Sequence, residues 1–162
     1  MANLDFLGWD LALGFTPNEE GITVAGPFSR VDLQTVQQGR VFPRAVDLAV
    51  VRGKADLVQS LIVRVETERG ELAALGHPTY GSRHHALIGE PNTESNRNLV
   101  KLFILECLKQ EPRIASVEGI DVKPGEGREN RDKVVVTMAL RVRGAPDVLN
   151  LVVPFSFAGP LE

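Results

Sequence analysis

The sequence predicts an α+β fold, in which two main helices and a short helix pack on a small, mainly antiparallel C-terminal sheet, preceded by an extended N-terminal arm. Three observations predict this fold. Glycine and proline interrupt residues 1–44 repeatedly, apolar residues recur at helical spacing between residues 54 and 109, and apolar residues alternate after residue 133. A chain of 162 residues can bury a core as one domain. We assign residues 1–44 to the arm and residues 45–162 to the α+β domain.

Short extended segments are expected in the arm and at the start of the domain. Residues 22–25 and residues 46–51 are rich in β-branched side chains and lie close to glycine, which is typical of short strands. The first main helix is expected over residues 54–68, because apolar side chains recur there with a period of four residues. Its solvent-facing side is predicted from its polar residues, which are Gln59, Arg64, Glu66 and Glu68.

The second main helix is predicted by a long apolar segment, residues 98–109. The segment is apolar around most of its circumference, so we expect it to be buried against more than one neighbour. Asn92 or Thr93 is the expected N-cap. Pro112 disfavours helical geometry at Glu111, so the helix is expected to end there. A short helix is expected just before it, over residues 83–88.

The last third of the chain predicts three strands. Residues 114–123 form the first, residues 134–143 the second and residues 149–157 the third, and the second and third alternate apolar and polar side chains. Pro154 cannot donate a hydrogen bond to a neighbouring strand, so the third strand is expected at an edge of the sheet, or to leave the sheet there. One face of the second strand is expected to be apolar, formed by Val134, Val136, Met138, Leu140 and Val142.

Composition and charge argue against several classes of function. A net charge of −3 provides no basic face for nucleic acid. No segment approaches the roughly 20 apolar residues that span a bilayer, so no direct membrane insertion is expected. The N-terminus lacks the features of a signal peptide, and we expect synthesis and folding in the cytoplasm. Cys107 is expected to be a buried structural thiol. His84 and His85 are adjacent and are expected to be solvated or to face a partner, so no metal site and no cofactor are predicted.

The end of the second main helix carries the candidate site, Glu111-Pro112-Arg113, called here the Glu-Pro-Arg motif. A carboxylate and a guanidinium are held beside a rigid ring at the edge of the core. The residues alone favour a helix stop with a surface salt bridge, while an arginine in this position can also recognise a partner's carboxylate in a bidentate manner. Tyr80 and Arg83 form a second candidate patch, because tyrosine and arginine are common at interface hot spots.

These motifs, in their order and spacing, resemble a known family. They are the Glu-Pro-Arg motif after a helix and before three strands, Thr-Glu-Arg-Gly-Glu at residues 67–71, His-Pro-Thr-Tyr-Gly-Ser-Arg at residues 77–83, and Ile-Gly-Glu-Pro-Asn-Thr-Glu at residues 88–94. The chain resembles the baseplate wedge proteins of contractile phage tails and phage-tail-like injection systems, which include W-like and TssE-like sheath-initiating proteins. The resemblance covers about residues 45 to 157 and is closest to the extracellular injection particles.

The resemblance implies a structural role without enzymatic activity. The Glu-Pro-Arg motif would dock the protein to other baseplate wedge proteins, with Arg113 as the fork, Glu111 as its counter-charge and Pro112 as the spacer. The sheath protein would be a further partner, with central spike or tube proteins as additional candidates, in a sixfold repeated particle. For sheath seeding we expect an exposed sheet edge to exchange a strand with a neighbour, supplied by residues 149–157 or by residues 134–143.

Two alternatives remain open at this stage. One is a lysozyme-like peptidoglycan hydrolase, since paired carboxylates carry glycoside hydrolysis and some relatives were described as lysozymes. Its carboxylates would come from Glu66, Glu68, Glu71, Glu90 and Glu111. The chain has few aromatic side chains for stacking on sugars, and most of these carboxylates are expected on the surface. The other alternative is a free-standing adaptor that binds a peptide strand.

Overall fold

The computed structural model describes residues 7–13, 17–18, 21–23, 33–37 and 46–159. Its two α-helices, α1 (Lys54–Glu66) and α2 (Glu94–Leu108), share one hydrophobic core with a β-sheet, which confirms the α+β fold. The strands, in chain order, are β1 (Trp9–Leu11), β2 (Pro17–Asn18), β3 (Gly21–Thr23), β4 (Thr35–Gln37), β5 (Val46–Leu48), β6 (Val50–Arg52), β7 (Ile114–Pro124), β8 (Lys133–Val142) and β9 (Val148–Ser156).

The main sheet has five strands in the order β2-β3-β9-β8-β7. The three C-terminal strands are antiparallel, as predicted. The apolar face of β8 is also confirmed, because all five of its predicted residues are buried. Within the described residues, β7 forms one edge of this sheet and β8 lies inside it. The expectation that residues 134–143 supply an open edge is therefore wrong.

The position of β9 corrects a second expectation. Its first half lies inside the sheet, because β3 pairs with it in parallel at Leu151 and Val152. This pairing ends before Pro154, which faces Val135 of β8 and has no described strand on its outer side. The proline therefore marks where the parallel pairing stops, and β9 as a whole is not an edge strand.

Helix α2 is shorter and more one-sided than the sequence predicts. It begins after Thr93, whose hydroxyl accepts a hydrogen bond from the backbone N–H of Asn96 at 3.2 Å, so the expected cap is confirmed. The helix ends at Leu108, and the chain turns before it reaches Glu111. Its buried side chains lie on one face, whereas Leu102 is 47% exposed. The buried face contacts both α1 and β7, so the expected burial against more than one neighbour is confirmed, although the opposite face of the helix stays exposed.

The polar residues of α1 also differ from expectation. Gln59 is buried, and its side-chain amide bonds the backbone of Leu11 and Leu13, so it ties the N-terminal strands to the helix. The predicted short helix is a single 3₁₀ turn, His84–Leu87. Neither described α-helix has the length and hydropathy to cross a membrane. Parts of the arm, including residues 24–25 of the predicted strand, lie outside the described residues, and the boundary at residue 45 stays a prediction.

Candidate partner-binding site

The Glu-Pro-Arg motif forms an internal ion pair. The Arg113 guanidinium donates two parallel hydrogen bonds to the Glu111 carboxylate, from Nε to Oε1 at 2.7 Å and from Nη2 to Oε2 at 3.2 Å. The backbone N–H of Arg113 adds a third bond to Oε1. Glu111 is buried, while Pro112 between the two residues is exposed. Glu111 is therefore the counter-charge that the sequence predicts, but the fork of Arg113 is already occupied by its own chain.

The remaining donors of Arg113 reach two other elements. Nη1 bonds the carbonyl oxygen of Leu7 at 2.9 Å and the carboxylate of Asp56, in the first turn of α1, at 3.2 Å. Four of the five guanidinium N–H groups are thus used inside the chain. Arg113 joins the N-terminal segment, α1 and the start of β7. The fifth N–H has no acceptor among the described residues.

Charges in this cluster depend on one another. Burial alone would raise the pKa of Glu111, but the hydrogen bonds and the positive charge of Arg113 hold it below its ordinary value. Hydrogen bonding to Glu111 raises the pKa of Arg113 further. Burial raises the pKa of Asp56 despite the attraction of Arg113. Arg113 therefore interacts with two carboxylates. It stabilises the ionised form of Glu111 more than that of Asp56, because the pKa falls only for Glu111.

Arg64 connects this ion pair to Tyr80. Its Nη2 lies 3.5 Å from Oε2 of Glu111, and its guanidinium sits 4.4 Å from the centre of the Tyr80 ring. Sequence reasoning placed Arg64 on the solvent side of α1, and this is wrong, because only 15% of its side chain is exposed. We call Asp56, Arg64, Glu111 and Arg113 the Arg113 cluster. Through Arg64, Tyr80 borders this cluster.

Arg83 lies in a different environment. Its guanidinium pairs with Glu106 of α2 at 2.6 Å and lies 4.6 Å from the centre of the Phe103 ring. Both members of this pair are exposed. The structure therefore brings Tyr80 next to the Arg113 cluster and places Arg83 on the outer face of α2. Nothing in the structure tests whether any of these residues contacts a partner, and that role stays a prediction.

Two further ionisable residues are more buried than expected. His84, predicted on the surface, lies in the core with its Nδ1 2.8 Å from the Ser82 hydroxyl and its ring against Phe155. Burial lowers the pKa of His84 to about 3. Glu66 has a buried carboxylate oxygen with no hydrogen-bond partner among the described residues, and burial raises its pKa to about 7.

The open edge of β7 is the other feature that can bind a protein. The β7–β8 register shifts twice near the start of β7 and then runs regularly from Gly119 to Pro124. Backbone groups on the outer side of a regular edge strand can pair with a strand from another chain. Among the described strands, β7 is the longer of the two edges of this sheet, because the other edge, β2, has only two residues and β8 lies inside the sheet.

Comparison with known proteins places the fold. No family model matches the sequence, and no curated protein matches it significantly. A solved tail protein has a similar fold. It is a protein of Geobacter sulfurreducens, provisionally named a tail lysozyme, with a TM-score of 0.55 and 25% sequence identity. The similarity covers 64% of this chain and 89% of that protein. The region of similar fold therefore spans most of the length of that protein.

Proposed function

We propose that this protein is a structural component of a phage tail or a phage-tail-like injection particle, at the baseplate of a contractile tail. The observation that carries the proposal is the shared fold with a tail protein, which extends over 89% of that protein. The ordered motifs described above support the finer assignment to a baseplate wedge protein that initiates the sheath. Cytoplasmic assembly and sixfold repetition in the particle belong to the same proposal.

Strand exchange at the β7 edge is the proposed route for seeding the sheath. An edge strand offers unpaired backbone N–H and C=O groups to an extended segment of a neighbour, and pairing them joins the two sheets. The regular stretch from Gly119 to Pro124 is long enough for such pairing. The two register shifts before it disturb the ladder, so they confine a regular added strand to this end of β7.

Docking through the Glu-Pro-Arg motif is the second part of the proposal, with Pro112 rather than the fork of Arg113 as the main contact. One N–H of the Arg113 guanidinium lacks an acceptor in the described part of the chain, so a partner cannot receive the full fork while Glu111 holds it. The accessible part of the motif is the exposed Pro112 ring, fixed in place by the ion pair that flanks it. We propose that Pro112 and the last N–H of Arg113 contact the wedge core, with Tyr80 beside them.

Deletion of the gene in a producing strain tests the role as a whole. We expect tubes and baseplate fragments without sheath in electron micrographs, and complementation with the intact gene should restore sheathed particles. Normal sheathed particles from the deletion strain would refute a sheath-initiating role.

A substitution at Pro112 tests the docking surface without disturbing the ion pair. Pro112→Asp adds a charge at an exposed position, and Pro78→Asp does the same in the exposed connector before Tyr80. Both variants should unfold at nearly the same temperature as the parent protein. We expect only Pro112→Asp to reduce sheathed particles, and equal particle yields from the two variants would argue against docking at the motif.

A peptidoglycan hydrolase is the rival function, and Glu66 is the residue that favours it. Its pKa of about 7 would suit a general acid. The pair needed for glycoside hydrolysis also requires an accessible second carboxylate, and Glu111 is held by two arginines. We propose that the protein is catalytically inactive. Release of soluble fragments from purified peptidoglycan, lost in Glu66→Gln, would instead establish the hydrolase.

A further inference from the structure

A groove lies between the first half of α2 and the end of β7, with a volume of about 290 Å³. Its walls come from these two elements, and no residue of β8 lines it. Asp121 and Val122 both line the groove, although neighbouring residues of a strand point to opposite faces. The groove therefore wraps around the outer edge of β7, the edge proposed above for strand exchange.

The charges in this groove are unequally paired. Arg97 donates two hydrogen bonds from Nη1 to Asn92, to the carbonyl oxygen at 3.2 Å and to Oδ1 at 2.9 Å. Asp121 has Lys123 at 3.6 Å. Lys101 is half-buried in the groove wall and forms no ion pair with any residue of the described part of the chain. Glu94 also lines the groove without an ion pair to a described residue, but it lies about two helical turns (~10 Å) from Lys101 along α2, with Arg97 between them.

Lys101 is thus an unmatched positive charge where one side of an added strand would project. A strand paired with β7 alternates its side chains between the two faces, so every second side chain points toward α2. A carboxylate in that position would neutralise Lys101 in partly desolvated surroundings, where an ion pair is stronger than on the open surface. A lysine or arginine there would face Lys101 and Arg97 and would be repelled.

We infer that the groove selects the strand that β7 accepts, and that this strand comes from another protein and carries an aspartate or glutamate seated against Lys101. The inference rests on the proposed strand exchange at β7 and adds the chemistry of the partner. Lys101 is the specificity residue, and the backbone of β7 supplies pairing that does not depend on sequence.

Charge reversal in a producing strain tests the inference. Lys101→Glu should reduce sheathed particles at least tenfold while the melting temperature of the purified protein stays close to that of the parent. Lys109→Glu is the matched control, because Lys109 is an exposed lysine just after the same helix and outside the groove, and its particle yield should be near normal. Normal yield from Lys101→Glu, in a strain where gene deletion removes the sheath, would overturn the inference and leave the proposed function standing.

Peptide titration gives a second test that does not depend on the particle. The probe is a short alternating Thr/Val peptide with one central glutamate, compared with the same peptide carrying lysine, and amide resonances of the protein are followed by NMR. We expect the glutamate peptide to shift resonances of α2 and β7 and to bind about three- to tenfold more weakly to Lys101→Ala. Equal behaviour of the two peptides, shifts confined to other elements, or no binding would overturn the inference even if the particle role holds.

Discussion

Two arginine–carboxylate pairs in this protein have almost the same length and very different surroundings. Arg113 and Glu111 are 2.7 Å apart, and Arg83 and Glu106 are 2.6 Å apart. The Glu111 side chain is 4% exposed, whereas the Glu106 side chain is 38% exposed. Arg113 also donates hydrogen bonds to the carbonyl of Leu7 and the carboxylate of Asp56, while Arg83 has one further contact, with the face of the Phe103 ring. The comparison teaches that distance alone does not rank these pairs, because burial and the number of partners decide what each contributes.

The largest expected effect comes from removing Arg113. Arg113→Ala would leave the carboxylates of Glu111 and Asp56 buried without their main cation and would release the carbonyl of Leu7. Breaking one partner out of a buried ion pair costs about 3 to 5 kcal/mol, and we expect the free energy of unfolding in urea to fall by that amount. A loss below about 1 kcal/mol would mean that the Arg113 cluster is no stronger than a surface pair.

Two further variants sharpen this result. Arg113→Lys keeps the charge but cannot form the fork, so it should recover only part of the lost stability. Glu111→Gln lacks the carboxylate whose lowered pKa stabilises the fold. Because a lowered carboxyl pKa gives stability that is present above the unfolded-state pKa and lost on acidification, the parent should lose its advantage over Glu111→Gln as pH falls. An advantage that does not change with pH would contradict the ion pair.

His84 provides the next largest effect, as a buried ionisable group with no opposing charge beside it in the described ranges. Its folded pKa of about 3 lies below the unfolded value of 6.5, so the unfolded chain binds more protons between these values. Stability should therefore fall by about 1.4 kcal/mol for each pH unit below 6.5. His84→Phe has no proton to gain, and its curve should be flatter over this range. Parallel curves for the two proteins would show that His84 is protonated in the folded state.

Glu66 should change the stability of the protein with pH in the opposite direction to His84. Its folded pKa of about 7 exceeds the ordinary value of 4.5, so the folded chain binds more protons between these values and stability falls as pH rises. Glu66→Gln should therefore stabilise the protein by at most about 3 kcal/mol above pH 7 and by much less near pH 4.5. Comparison of melting temperatures at the two pH values checks this, and equal shifts at both would contradict a buried carboxylate without a partner.

The comparison between regions also explains what the sequence could predict. The β8 face and the α2 cap were predicted correctly because alternation and capping are local patterns, readable within a few residues. The one-sided burial of α2 was missed, since an apolar side chain such as Leu102 indicates a preference for burial but not the presence of a neighbour. The sequence placed the open edge at β9 rather than β7, because it could not show that β3 pairs with the first half of β9, a contact between distant parts of the chain.

The candidate site was only partly predictable, for a similar reason. The sequence places Glu111 and Arg113 together because they are two residues apart, and the structure confirms their contact. It could not show that Arg113 holds Leu7, which is 106 residues away. Arg64 and Gln59 were assigned to the surface because polar residues on a helix are usually exposed. A buried polar side chain is tolerated only where a distant partner satisfies it, and no local pattern contains that information.

The smallest expected effect, at Arg83, makes the clearest functional test. An exposed ion pair contributes about 0 to 1 kcal/mol, and the contact with Phe103 adds a similar amount at an exposed site. Arg83→Ala should therefore lower the free energy of unfolding in urea by no more than about 1 to 2 kcal/mol, and Glu106→Ala by less. Since the Arg83→Ala variant should stay folded, any loss of sheathed particles from it would report on partner contact. A loss from Arg113→Ala could come either from lost partner contact or from unfolding. Full assembly by Arg83→Ala would remove Arg83 from the docking surface and leave Tyr80 and Pro112 as its candidates.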